Sequence, residues 1–269
     1  MGMKIAIFVS ALLAAPPAPA SAAREPAGWQ VEAESGSCTA KRPLGSDGTV
    51  LGLLRTSGND LTTLSITGEG AKRFSRQELA DVALHLDPGG AVPAKAELTP
   101  EFIVYPVSLY IRSEDRGFLD RMAAARAMRL FQGKQVMLQH DLAGLGAAVV
   151  QLRSCERIGL EAAGIDVARW ESLRAGPRPL VELIRLVRVK DYPREARRAG
   201  ASGRVTVRLT VSASGQPAKC DYVARSGHEA LDRVTCKILL ERARFHPAID
   251  SHGKAVAAPF VMKITWRTG

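Results

Sequence analysis

YPREARRAGASGRVTVRLTVSASGQPAKCDYVARSGHEALDRVTCKILLERARFHPAIDSHGKAVAAPFVMKITW, residues Tyr192 to Trp266, reads as one small basic module. Tyr192-Pro193 predicts a helix start, because proline at the first helical position loses no hydrogen bond and presets the backbone angle. Glu195 to Ala199 continue that helix and Gly200 stops it. In Arg204 to Val211 the residues Val205, Val207, Leu209 and Val211 share one face, which predicts a strand with one core face and one basic face. Ser212 to Gly215 is a short hairpin connection with glycine where positive φ is needed. The return strand, Ala218 to Ala224, carries Cys220. Ser226-Gly-His-Glu229 fits a capping box that opens a helix holding Leu231, Val234, Cys236, Ile238 and Leu239. Phe245, Pro247 and Ala248 end the helix layer, and Val256 to Trp266 closes the module as a last strand. The order helix, strand, strand, helix, strand predicts a three-stranded antiparallel sheet covered on one face by two helices.

The carriers of a family likeness are the Tyr-Pro helix start, the Gly203-X-Val-X-Val strand, the Ser-Gly-X-X-X-Leu-Asp helix entry, the Phe-X-Pro-Ala element and the closing Ile-X-Trp strand. In this order and spacing the region from about 178 to 268 resembles the C-terminal domain of TonB-type energy transducers. That resemblance implies a partner, the TonB box peptide of an outer-membrane TonB-dependent transporter, added as an extended strand to the edge of the last strand. The positions it implies are Phe260, Val261, Met262, Lys263 and Ile264. Main-chain groups supply affinity in such a mode, and alternate side chains supply specificity. It also implies contacts with the receptor plug from the region of the Tyr-Pro helix, here Lys190, Asp191, Tyr192, Arg194, Arg197 and Arg198. Arginines facing an acidic plug raise the encounter rate more than the final affinity; the plain alternative for each is a solvated helix face.

Charge is divided sharply along the chain. Residues 177–269 carry 18 Lys/Arg against 8 Asp/Glu, which is the whole of the +10, while residues 1–176 carry 19 of each. A basic half usually meets an acidic or polyanionic partner, and here compartment argues against nucleic acid. Lys4, the apolar run Ile5 to Ala15 and Ala20-Ser21-Ala22 are the parts of a secretory signal peptide over residues 1–22, with cleavage expected before Ala23. The apolar run is about half the ~20 residues a membrane span needs. The expected location is therefore the periplasm, the alternative being an uncleaved inner-membrane anchor. TonB-type transducers carry such an anchor and a long Pro-rich spacer, and this sequence shows neither. A soluble periplasmic adaptor or envelope-binding module, without energy transduction, is thus the second functional reading, and a homodimer remains open.

Export makes the four cysteines a disulfide framework. Four cysteines allow three pairings, among which the domain split favours Cys38 with Cys155 and Cys220 with Cys236. No Cys-X-X-Cys spacing occurs, and His85, His140, His228, His246 and His252 are scattered without an i, i+4 pair. No metal or other cofactor is expected. There is no Gly-X-Ser-X-Gly elbow, phosphate-binding glycine loop or His-Glu-X-X-His, and Ser226 beside His228 reads as a helix cap, so no catalytic residue and no enzyme is expected.

The chain of 269 residues has room for a second domain. In residues 24–166 the strand signals Trp29 to Glu34, Cys38 to Lys41, Val50 to Leu54, Leu61 to Ile66, Val82 to Leu86 and Phe102 to Ile111 predict antiparallel strands. Phe118 to Met128 shows helical period. Gln135 to Gln139 reads as a strand, and Asp141 as the cap of a helix running through Leu145, Val149 and Leu152 to Cys155. The expected class is α+β, a strand-rich domain followed by a short Pro/Gly linker over 167–180 and the module at 181–269. The Trp29 strand, Ser37-Cys38, Leu152-Arg-Ser-Cys155 and Gly164-Ile165-Asp166 resemble an uncharacterised periplasmic domain found before TonB-like modules.

Overall fold

Alternating apolar residues put the first half of the chain into two antiparallel sheets around one core. The computed structural model describes residues 28–268 apart from 35, 75, 93–94 and 100–106, so the signal peptide and cleavage before Ala23 lie outside the described residues. In order come β1 (Gln30–Glu34), β2 (Ser37–Pro43), β3 (Val50–Thr56), β4 (Thr62–Thr67), the one-turn helix α1 (Glu69–Lys72), β5 (Val82–Asp87), β6 (Gly90–Val92), β7 (Lys95–Thr99) and β8 (Ser108–Ser113). Then follow α2 (Phe118–Ala124), β9 (Ala127–Gln132), β10 (Gln135–Asp141), α3 (Leu145–Ala162) and α4 (Val167–Ser172). One sheet has the order β1-β2-β3-β4-β8-β7 and the other β10-β9-β5-β6. Their inward residues, among them Leu53, Leu64, Ile111, Leu84 and Leu130, meet Phe118 and Met122 of α2 and Leu145 and Leu152 of α3. Cys38 on β2 is bonded to Cys155 on α3.

Two expectations for this domain are corrected. The helical period from Phe118 stops at Ala124, because Arg126 N donates to Asp87 O at 2.7 Å and Ala127 and Met128 enter β9, the strand between β5 and β10. Met128 and Leu130 alternate into the core, so a period-2 pattern lies hidden behind the helical one. Asp141 does not cap α3. It ends β10, its carboxylate accepts Ala143 N at 3.0 Å, and Gly144, with φ 77°, makes the turn into the helix. A left-handed residue at that point suits glycine.

The second half continues through β11 (Arg178–Pro179), α5 (Arg194–Arg198), β12 (Gly203–Val211), β13 (Pro217–Ala224), α6 (Glu229–Arg242), β14 (Phe245–His246), β15 (Ala248–Ile249), β16 (Ala255–Val256) and β17 (Ala258–Trp266). The three long strands form the expected antiparallel sheet in the order β13-β12-β17. Val205, Val207, Leu209 and Val211 face Leu231, Ile238 and Leu239 of α6, with Ala196 of α5 beside them. Cys220 on β13 is bonded to Cys236 on α6, stapling sheet to helix.

Three local readings shift here. Pro193 stands at the cap of α5, not inside it, and the last strand begins at Ala258 because Val256 pairs instead with Ala248 in the short β15–β16 turn. The Ser226 capping box is not formed. His228 occupies the cap of α6, Glu229 pairs with Arg233 at 2.6 Å, and Ser226 is held from its N and Oγ by buried Asp232 at 2.9 and 2.8 Å. Gly227, at φ 87°, turns the chain so that the serine lies outside the helix. Residues 167–180 contain α4, whose Trp170 is buried, and β11, which pairs with β14.

The last strand and the faces around it

Antiparallel pairing fixes what each residue of β17 can offer. Its register against β12 runs from Val211 opposite Ala258 to Gly203 opposite Trp266 without a break. Along such a ladder successive residues turn their main-chain groups alternately toward the partner and away from it. Val261 N donates to Gly58 O of the N-terminal domain at 3.0 Å, so it faces away from β12. Lys263 and Thr265 share that outward direction, and their amides meet no backbone acceptor among the described residues.

The side chains divide the same way. Phe260, Met262, Ile264 and Trp266 go to the helix face. Phe260 meets Phe245 ring to edge at 5.0 Å, and Trp266 Nε1 donates to Thr235 Oγ1 at 2.9 Å. Phe260 and Ile264, two of the positions implied for a partner, are thus buried in the core, and Met262 is half-buried. Val261 is buried on the opposite face. Lys263 lies half-buried on that face, where burial first and the nearby Arg204 charge second lower its pKa, against the pull of Glu34. Of the five implied positions, the strand presents main chain more than side chain.

Around the Tyr-Pro helix the structure separates scaffold from surface. Tyr192 stacks edge-on against Trp266 at 5.3 Å and its hydroxyl donates to Ala201 O. Asp191 accepts two bonds from Arg242 at 2.6 and 2.8 Å and one from Arg188 N at 2.8 Å. The Arg242 guanidinium, the largest cause, brings its pKa down to about 2. Both side chains are committed to the fold. Lys190, Arg194, Arg197 and Arg198 are exposed, with no ion pair among the described residues. They form a basic surface that an acidic partner could meet without displacing anything.

The polar face of the sheet is partly covered by the N-terminal domain. Arg204 pairs with Glu34 of β1, and Arg208 Nη1 donates to Ala163 O at 2.5 Å and Gly164 O at 2.8 Å at the end of α3. Asp221 holds the other arm of Arg208 at 3.0 Å. Val261, Ala258 and Ala248 join Leu160, Ala163, Ile165 and Trp170 in a small apolar cluster. Thr206, on the same face of β12 as Arg204 and Arg208, is buried, and its Oγ1 has no partner among the described residues. Gly58, at φ 81°, packs so closely that a Cβ would lie 2.7 Å from Val261 Cγ2. Sequence reasoning missed this contact: Ser57-Gly-Asn-Asp60 is legible as a turn, but nothing in it announces a partner some 200 positions further on.

A separate cleft of about 590 Å³ opens beside α3 and α4. Its four arginines are each answered by a carboxylate: Arg55 by Glu156, Arg116 by Asp60, Arg153 by Asp120 and Arg157 by Glu171. It has no net charge to recruit an ion. Among the described residues no group of three or more His, Cys, Asp or Glu could hold a metal.

Fold and site together define a small α+β module whose distinctive exposed feature is a partly open strand edge beside a basic helix. Residues 188–268 match the family described as Gram-negative bacterial TonB protein C-terminal, and the chain therefore carries a TonB-type C-terminal domain. No curated protein matches the chain. At family level this is a non-enzymatic domain of TonB-dependent transport, associated with the Gram-negative cell envelope. Among the described residues no helix is long and apolar enough to cross a membrane.

Proposed function

We propose that the protein works in the periplasm and binds an extended peptide of an outer-membrane TonB-dependent transporter by strand addition along β17. The observation that carries this reading is the pair of outward amides at Lys263 and Thr265 on an edge strand, which meet no backbone acceptor among the described residues. Lys190, Arg194, Arg197 and Arg198 would steer the transporter's acidic plug toward that edge. Lys263→Pro tests it, because proline on the outward side of an edge strand deletes one ladder donor while sparing the sheet. The variant should fold and lose retention of solubilised transporters. Retention equal to that of the unaltered protein would refute strand addition here.

A second reading, a periplasmic adaptor without energy transduction, is favoured by the way the module sits. Residues 174–175 are hydrogen-bonded to Ile249 and Gly176 N to Asp60 at 2.5 Å, so the connection is folded onto both domains instead of extended. Sequencing the mature N-terminus separates the two: a start at Ala23 supports the adaptor, and retained residues 1–22 support a tethered transducer.

A further inference from the structure

We infer that the N-terminal domain is a removable cover on the last strand, which keeps the strand-accepting edge half shut until the two domains part. The inference rests on the strand-addition reading and adds the regulation of that site. An incoming strand needs the outward groups of Val261, Lys263 and Thr265 in succession. Gly58 O already holds the first of them. The turn that carries Gly58 is fixed from within its own domain, Ser57 N donating to Gly36 O at 2.9 Å and Ser57 Oγ to Glu156 O at 3.0 Å. It therefore acts as a rigid stop and not as a loop that a peptide could brush aside.

The contact has the composition of an interface that can open. Contacts between domains of one chain resemble transient interfaces, more polar than a core. What crosses at the sheet is the Val261–Gly58 main-chain bond, the exposed Arg204–Glu34 pair, two bonds from Arg208 to carbonyls and a small apolar patch around Val261 and Ile165. Beside it residues 174–176 bond to Ile249 on one side and Asp60 on the other, Arg169 donates to Ala257 O at 3.5 Å and Arg178 pairs with Glu114. Closure also has two local costs. The Thr206 hydroxyl is buried without a partner among the described residues, and the Lys263 ammonium is held partly desolvated near Arg204, offset in part by Glu34. Both groups regain water when the face opens. The helix face shows no such orphan among the described residues, since Thr235 donates to Leu231 O and accepts from Trp266.

The test uses the full chain, with residue-resolved amide exchange and retention of outer-membrane TonB-dependent transporters solubilised from the parent bacterium and identified by mass spectrometry. Glu34→Lys combined with Arg208→Ala loosens the cover through side chains that are not in either core; Gly58→Ala, which clashes with Val261, is the second route. The Val261 amide should exchange slowly in the unaltered protein and about tenfold faster in the loosened chains, with Lys263 and Thr265 fast in both. Transporter retention should rise several-fold in the loosened chains, and fall again when Lys263→Pro is added. Equal Val261 exchange in closed and loosened chains, or equal retention with Val261 freed, overturns the cover. Fast Val261 exchange with no retention by any chain overturns the strand-addition reading itself, and the regulation with it.

Discussion

The two faces of the C-terminal sheet are built from the same three strands and behave as different materials. On the helix side Val205, Val207, Leu209, Phe260 and Ile264 close against α6, and the Cys220–Cys236 bridge ties the layers covalently. On the other side Arg204 and Arg208 meet the N-terminal domain through one ion pair and two carbonyls, beside the half-buried Lys263 and the buried Thr206, whose hydroxyl has no partner among the described residues. The apolar face is what makes the module fold, because burial of that surface is the main favourable term and cannot be given up piecemeal. The polar face contributes little to folding and much to placement. A strand whose side chains alternate between them is anchored on one side and regulated from the other.

The comparison is most strongly broken by attacking the staple. Cys220→Ser with Cys236→Ser opens a bridge spanning 16 positions and should cost the module about 3 kcal/mol by the chain-entropy account, read as a lower denaturant midpoint, while Val261 exchange stays slow until the module itself unfolds. A smaller loss follows from Asp191→Asn, beside α6. The carboxyl titrates at about 2 in the fold against the ordinary 3.8, so its stabilisation is complete above pH 4 to 5 and disappears as pH falls through 3.8 toward 2. At neutral pH the variant should lose about 2 kcal/mol, and between pH 4 and 2 it should lose less further stability than the unaltered chain; identical acid profiles would remove Asp191 from the account. The smallest change belongs to the polar face. Thr206→Val keeps the shape and removes the unpaired hydroxyl, and should raise stability by about 0.5 to 1 kcal/mol while slowing Val261 exchange, since it strengthens the cover.

What could be read from the sequence followed this division. The apolar face was legible because alternation in β12 and the spacing of Leu231, Ile238 and Leu239 are local signals with fixed periods. The domain split favoured the two cysteine pairs without fixing them, and the folded strands and helices bring each pair together. The capping at Ser226 was misread because Asp232, six residues away, binds the serine in place of Glu229, and β9 was misread because Phe118 to Met128 satisfies a helical period that pairing with β5 then overrides at Ala127. The implied binding positions lost Phe260 and Ile264 to the core, as any strand with one buried face must give up alternate residues. The contact of Gly58 with Val261 left no trace in either segment alone. It depends on how two domains dock, and neither periodicity nor motif spacing encodes that.

In-cell photo-crosslinking from position 265 tests strand addition most directly, because Thr265 is exposed on the outward side of β17. The account predicts an adduct with an extended periplasmic segment of an outer-membrane TonB-dependent transporter, absent when the crosslinker stands at Val150, exposed on α3. Adducts that are the same from both positions, or no transporter adduct from position 265, would contradict it.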